Sequence, residues 1–165
     1  MNKAFVKEGA EDETLIPVPT MPVGVKNYIT PAGFEQMQQE LQRLSTARDS
    51  GLGESIDARE RDQRIHYLQA RLETAEIVDP SVHEDGGPIR FGATVTYEHQ
   101  DGAQHAITIV GLDEIDPADG RISWLSPIAQ ALLNAEPGDS VVLESPSGEE
   151  ELSVIEVRYP KAAEP

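Results

Sequence analysis

The stretch TPAGFEQMQQELQRLSTARDSGLGESIDARERDQRIHYLQARLETAEIV, residues 30–78, decides the fold. It opens on Thr30-Pro31, which starts a helix. The threonine oxygen caps free amides, and proline at the first helical position has no needed amide to lose. Glu35 sits near the positive end of that helix. Phe34, Met37, Leu41 and Leu44 then recur at steps of three, four and three, one apolar seam. Ser50-Gly51-Leu52-Gly53 breaks the helix. A second helix starts near Ser55 or Ile56, and Ile65, Leu68, Leu72 and Ala75 repeat the same steps. Two apolar seams joined by a glycine-rich bend predict an antiparallel helical hairpin, a short coiled coil. The first arm spans about 15 residues, roughly 22 Å at 1.5 Å per residue, and the second runs to about Glu76.

Order begins near Tyr28-Ile29, so the hairpin region is taken as 28–78 and residues 1–27 as a flexible tail. The tail combines the acidic run Glu11-Asp12-Glu13 with Pro17, Pro19 and Pro22, which deny helix and favour extended chain. It holds too little apolar surface to offset the entropy of ordering. Both a loose tail and a partner-binding arm, with Leu15, Ile16 and Val18 docking, fit this composition.

On the other side, Ile77-Val78-Asp79-Pro80 ends the helix and residues 79–87 form a linker with a Gly-Gly pair. Residues 88–160 read as a β-rich domain and 161–165 as a tail. Strands are predicted over Ile89–Tyr97 and His105–Val110 around the turn Gln100-Asp101-Gly102, with Val95, Ile107 and Ile109 facing a core. A short strand Ile122–Trp124 precedes Ser126-Pro127, a second cap-plus-proline start, and the helix Ile128–Leu133. Turns at Pro137-Gly138-Asp139 and Ser145–Gly148 lead into strands Val141–Leu143 and Leu152–Tyr159. The whole is an α+β fold: a helical hairpin, then a small antiparallel sheet with one short helix.

The 165 residues carry a net charge of −17. Residues 79–165 hold seventeen acids and four bases, so −13 lies there. Such a surface repels phosphates and argues against a direct grip on nucleic acid. It suits a basic protein partner, or solubility alone. With no cysteine there is no disulfide and no thiolate site. No apolar run is long enough to span a bilayer, and Met1–Val6 lacks a signal-peptide core. The expectation is a cytoplasmic monomer.

The order of Tyr67-Leu68, Ile77-Val78-Asp79, Phe91-Gly92-Ala93, Ile109-Val110-Gly111, Asp113-Glu114-Ile115, Ser126-Pro127, Ala131-Leu132-Leu133 and Gly138-Asp139 resembles the GreA/GreB transcript-cleavage factors. Tyr28–Phe34 is similar to the start of that family's first helix. The resemblance covers about residues 28–160, dense in the C-terminal part and thin from Ser45 to Asp62, and suggests a GreB-like or Rnk-like member with a shortened hairpin. It implies a coiled-coil hairpin followed by an FKBP-like domain, and RNA polymerase as partner at the mouth of its secondary channel. It also implies that Ser126 and Pro127 help dock the C-terminal domain on a coiled coil at the channel rim. The family often places Asp before that serine; here the residue is Leu125.

Cleavage in the family is metal-assisted hydrolysis: acids at the hairpin tip help hold a second Mg²⁺, a hard cation that takes oxygen ligands. The family tip resembles Gly-Asp-x-Ser-Glu-Asn-x-Asp/Glu-Tyr. This chain offers Asp49, Glu54 and Asp57, without the Asn and Tyr. Its arms are shorter than the family's by about ten residues each, roughly 15 Å of reach. Three readings of the tip stand: Glu54 or Ser55 caps the second helix, the acids bind metal, or they touch polymerase. No other catalytic residue or cofactor motif is found, and Mg²⁺ enters only with the cleavage reading. His66, His83, His99 and His105 lack ligand spacing, and Trp124 reads as core. Arg59, Arg61, Arg64 and Arg71 form either a solvated face or a contact surface on the second helix. The expected function is a non-enzymatic regulator bound to RNA polymerase through Leu125, Ser126 and Pro127. The alternatives are a cleavage factor with a divergent tip and an acidic adaptor for another basic protein.

Overall fold

Thr30 and Pro31 open a helix in the computed structural model, which describes residues 23–50 and 56–161. Helix α1 is Pro31–Asp49, and the Thr30 hydroxyl oxygen accepts the Gly33 amide at 3.1 Å, the predicted cap. The arm has 19 residues, about 28 Å, longer than the apolar seam alone suggests. Past Leu44 small polar side chains bond back along it: Thr46 Oγ1 to the Gln42 carbonyl at 2.9 Å, and Ser50 Oγ to Thr46 and Ala47 carbonyls at 3.0 Å each. Helix α2, Ile56–Thr74, also has 19 residues. It stops short of Glu76 because strand β2, Glu76–Ile77, pairs in parallel with strand β1, Tyr28–Ile29.

The chain divides into two compact units. One includes Gln36–Thr74; the other joins Lys26–Glu35 to the chain from Ala75 onward. In the first, Met37, Ile65 and Leu68 are buried, as the seams require. Arg71, read as part of a solvated or contact face, is instead buried, whereas Arg59 is exposed. Arg64 forks Glu40 of the other arm, Nε to Oε1 at 2.7 Å and Nη2 to Oε2 at 3.0 Å, with its guanidinium 5.3 Å from the Tyr67 ring centre.

The hydrogen bond from Arg64, with the charges of Arg64 and Arg43, holds the Glu40 carboxyl below its ordinary value of 4.5. A depressed folded value means that the stabilisation is complete above the unfolded value and is lost as pH falls through the folded one. The pair is largely solvated, so it contributes less than ~1 kcal/mol. Glu40→Gln should therefore flatten part of the fall in thermal midpoint below about pH 4.5. A variant with an unchanged slope would show that this pair contributes nothing.

The second unit holds a curled five-stranded sheet in the order β5-β4-β3-β7-β6. Its strands are β3 Thr94–Glu98, β4 Gln104–Val110, β5 Arg121–Ser123, β6 Ser140–Ser145 and β7 Gly148–Arg158. Three pairings are antiparallel and β4–β5 is parallel. Val95, Ile107 and Ile109 face the core as expected, with Leu152, Val154 and Val157. The short helix α3, Pro127–Leu132, closes that core with Ala129 and Leu132. Strand β3 starts at Thr94 and not at Ile89. Gly92 turns the chain at φ 87° against Pro80, where an added Cβ would lie 2.3 Å from the proline ring, and the Ile89 amide goes to the Ala135 carbonyl at 2.8 Å. The fold is α+β, and no helix among the described residues is long and apolar enough to cross a membrane.

Candidate functional site

The segment Leu125-Ser126-Pro127 is held from both sides by local chemistry. Trp124 donates its amide to the Val110 carbonyl at 2.9 Å, continuing the ladder beyond β5. The buried Ser123 hydroxyl accepts the Leu125 amide at 3.0 Å, and the Ser123 carbonyl accepts the Ser126 amide at 3.0 Å. Ser126 then caps α3: extended at φ −65° and ψ 152°, its Oγ accepts the Ala129 amide at 3.3 Å. Gln130 Nε2 returns to the Trp124 carbonyl at 2.7 Å. Leu125 and Ser126 are half-buried and Pro127 is exposed, so the turn offers one apolar ring on a fixed backbone.

Behind the turn, Trp124 packs on the core as expected and lies 5.0 Å, centre to centre, from the Tyr28 ring; Phe91 is 5.9 Å beyond. Trp124 Nε1 is buried with no hydrogen-bond partner. The sequence gives no hint of this aromatic trio, because Tyr28 lies far from Trp124 along the chain.

A second group was equally hidden. Glu114, 6% exposed, accepts the Thr30 amide at 3.1 Å and the Gly111 amide at 2.9 Å through Oε2, and the Thr30 hydroxyl through Oε1. Arg121 Nη2 approaches Oε1 at 3.6 Å. The carboxylate thus orients the residue that caps α1, a relay from the Gly33 amide through Thr30 to Glu114.

Two of the three tip acids lie within the described residues. Asp49 ends α1, exposed and 3.6 Å from Arg48 Nε, and Asp57 lies exposed in the first turn of α2, where the helix's positive end favours it. Glu54 and Ser55, and with them the predicted cap of the second helix, lie outside the described residues. Among the described residues no group of three or more His, Asp or Glu side chains is arranged to hold a metal ion. His99 and His105 stack edge to face at 5.1 Å, and His99 Nδ1 bonds Glu150, a structural use of both.

Residues 84–159 match the family model described as Transcription elongation factor, GreA/GreB, C-term. The transcription elongation factor GreB of Neisseria meningitidis serogroup B is 40% identical over 161 residues, covering 86% of this chain and 99% of that one. The chain belongs to the GreA/GreB family of transcription elongation factors. GreA of Alkalilimnicola ehrlichii is 38% identical over 152 residues, 79% of this chain and 96% of that one. Among solved structures, a GreA/GreB factor from Nitrosomonas europaea is similar at 26% identity, covering 81% of this chain and all of that one, with a TM-score of 0.41. The GreA factor homolog 1 of Thermus thermophilus is similar at 24% identity, covering 81% of this chain and 99% of that one, with a TM-score of 0.38. The GreB alignment runs over 161 residues yet takes in only 86% of the 165 here. This family member therefore lacks counterparts for a number of that GreB's residues.

Proposed function

We propose that this GreA/GreB-family protein is a non-enzymatic regulator that binds RNA polymerase at the rim of the secondary channel and does not stimulate RNA cleavage. The turn Leu125-Ser126-Pro127 carries the docking, with the exposed Pro127 ring as its contact and Ser126 capping the helix behind it, and the hairpin is presented at the channel mouth, where it competes with longer cleavage factors. The observation that carries this reading is the length of the arms, 19 helical residues each. That is about 28 Å per arm, and the residues that the Neisseria GreB has in excess fit a longer hairpin. A catalytic carboxylate needs contact geometry, and a deficit on the order of 10 Å removes it.

The experiment is a pair of assays with polymerase from the same host. The polymerase should retain the protein, and excess protein should suppress the RNA cleavage stimulated by a full-length GreB. Backtracked complexes given this protein alone should release no short RNA. One observation favours the cleavage reading as runner-up: α1 runs to Asp49, so two exposed acids, Asp49 and Asp57, flank the tip. Release of short RNA that disappears in Asp49→Ala or Asp57→Ala would replace our reading with that one. Failure of polymerase to retain the protein at low salt would overturn both.

A further inference from the structure

The sheet face turned away from the core carries a row of four side chains that the strand register places side by side. Arg158 of β7 pairs with Thr94 of β3, Thr94 with Thr108 of β4, and Thr108 with Arg121 of β5. Residues in register share a face, and three strand spacings separate the two arginine backbones by roughly 14 Å. All four line one cleft of about 800 Å³, together with Lys161 and the first turn of α1. The row therefore reads Arg–Thr–Thr–Arg across the floor of a cavity with the size of a small-molecule site.

Charge makes this arrangement unusual. Residues 79–165 hold seventeen acids and only four bases, and three of those four, Arg121, Arg158 and Lys161, line this cleft. The carboxylates paired with them, Glu114, Glu156 and Asp85, are not among its lining residues. Glu114 is already engaged by three other donors, which leaves Arg121 a loose contact at 3.6 Å and guanidinium donors to spare. Two carboxylates, Glu35 and Asp79, do line the cleft, and Asp79 is tied by the Ser81 hydroxyl and amide. Three cations and the positive helix end line the cleft with two carboxylates, and the partner acids Glu156, Asp85 and Glu114 stand beside the cations at 2.6, 3.1 and 3.6 Å, so the cleft gathers most of the domain's positive charge without being net positive. The Thr94 and Thr108 hydroxyls bond each other at 2.9 Å. One of the two hydrogens is used in that bond, so one O–H remains to donate upward into the cleft.

We propose that this cleft binds a small molecule carrying two oxyanion groups, phosphate or carboxylate, one held by the fork of Arg158 and one by that of Arg121, over the Thr94–Thr108 pair. Guanidinium forks match both oxyanions in bidentate geometry, and the flanking positions call for a ligand with anionic groups at two ends.

Calorimetric titration of the full chain at low salt tests this, with inorganic pyrophosphate in one arm and succinate in the other. Saturable binding of either probe is expected, and the arm that binds identifies the oxyanion. Arg158 is exposed, so Arg158→Ala keeps the fold and should weaken binding about tenfold or more. Thr94→Val should weaken it less, and Arg90→Ala, the base outside the cleft, should leave it unchanged. Absence of saturable binding by both probes at millimolar concentration, or equal binding by Arg158→Ala and the parent, would overturn the proposal.

Discussion

Gly33→Ala should cost the protein about 3 kcal/mol, the upper part of the range for forcing a methyl into filled space. An ideal Cβ on Gly33 would lie 2.2 Å from Glu114 Oε1, 2.5 Å from its Cδ and 2.7 Å from its Cγ. The carboxylate cannot swing aside cheaply, since it is buried and holds the Thr30 and Gly111 amides and the Thr30 hydroxyl. Glu114→Ala alone should cost about as much for the opposite reason: it strands buried amides and leaves Arg121 without its acid, a loss of about 3 kcal/mol. The double variant is the decisive measurement. With the carboxylate gone the new methyl has room, so urea unfolding should give a combined cost below the sum by more than ~1 kcal/mol. Additive costs would show that the clash lies elsewhere. Gly111→Ala is the contrast: its Cβ would meet the Tyr28 carbonyl oxygen at 2.2 Å, backbone that no side-chain deletion moves.

That interlock marks where sequence reading stops. Thr30-Pro31 and Ser126-Pro127 were legible as helix starts because a cap is chemistry within three or four residues. The seams were legible because a helix repeats its face, and Leu68 and Ile65 are buried as the spacing requires. Glu114 reaches Thr30 across 84 residues, and no local rule announces such a partner. The same distance problem hid the parallel pairing of β1 with β2, the parallel placing of β5, and the Arg158–Thr94–Thr108–Arg121 row. The row needs the register of four strands, and register is set by the closed core and not by any one strand's pattern. Asp49 and Asp57 could be read as tip residues from sequence alone, but their spacing to a partner or a metal is a property of the bend between them.

The docking segment yields a prediction in which folding and binding separate. Pro127 is exposed and occupies the first position of α3, where the positive helix end favours a carboxylate. Pro127→Glu should therefore leave the unfolding midpoint nearly unchanged, within about 0.5 kcal/mol, the usual range for a surface change. It should nevertheless weaken retention by RNA polymerase about tenfold or more, because the exposed apolar ring is replaced by a charge that must be desolvated on docking. Ser126→Ala should behave the other way. It removes the acceptor of the Ala129 amide and costs about 1 kcal/mol of stability, while the Leu125 amide remains tied to Ser123 and the turn keeps its course. Thermal unfolding and polymerase retention measured on both variants give four numbers with a crossed pattern. Were Pro127→Glu retained as firmly as the parent, docking would have to move off this turn, since a mere loss of structure is removed from the comparison by the stability measurement itself.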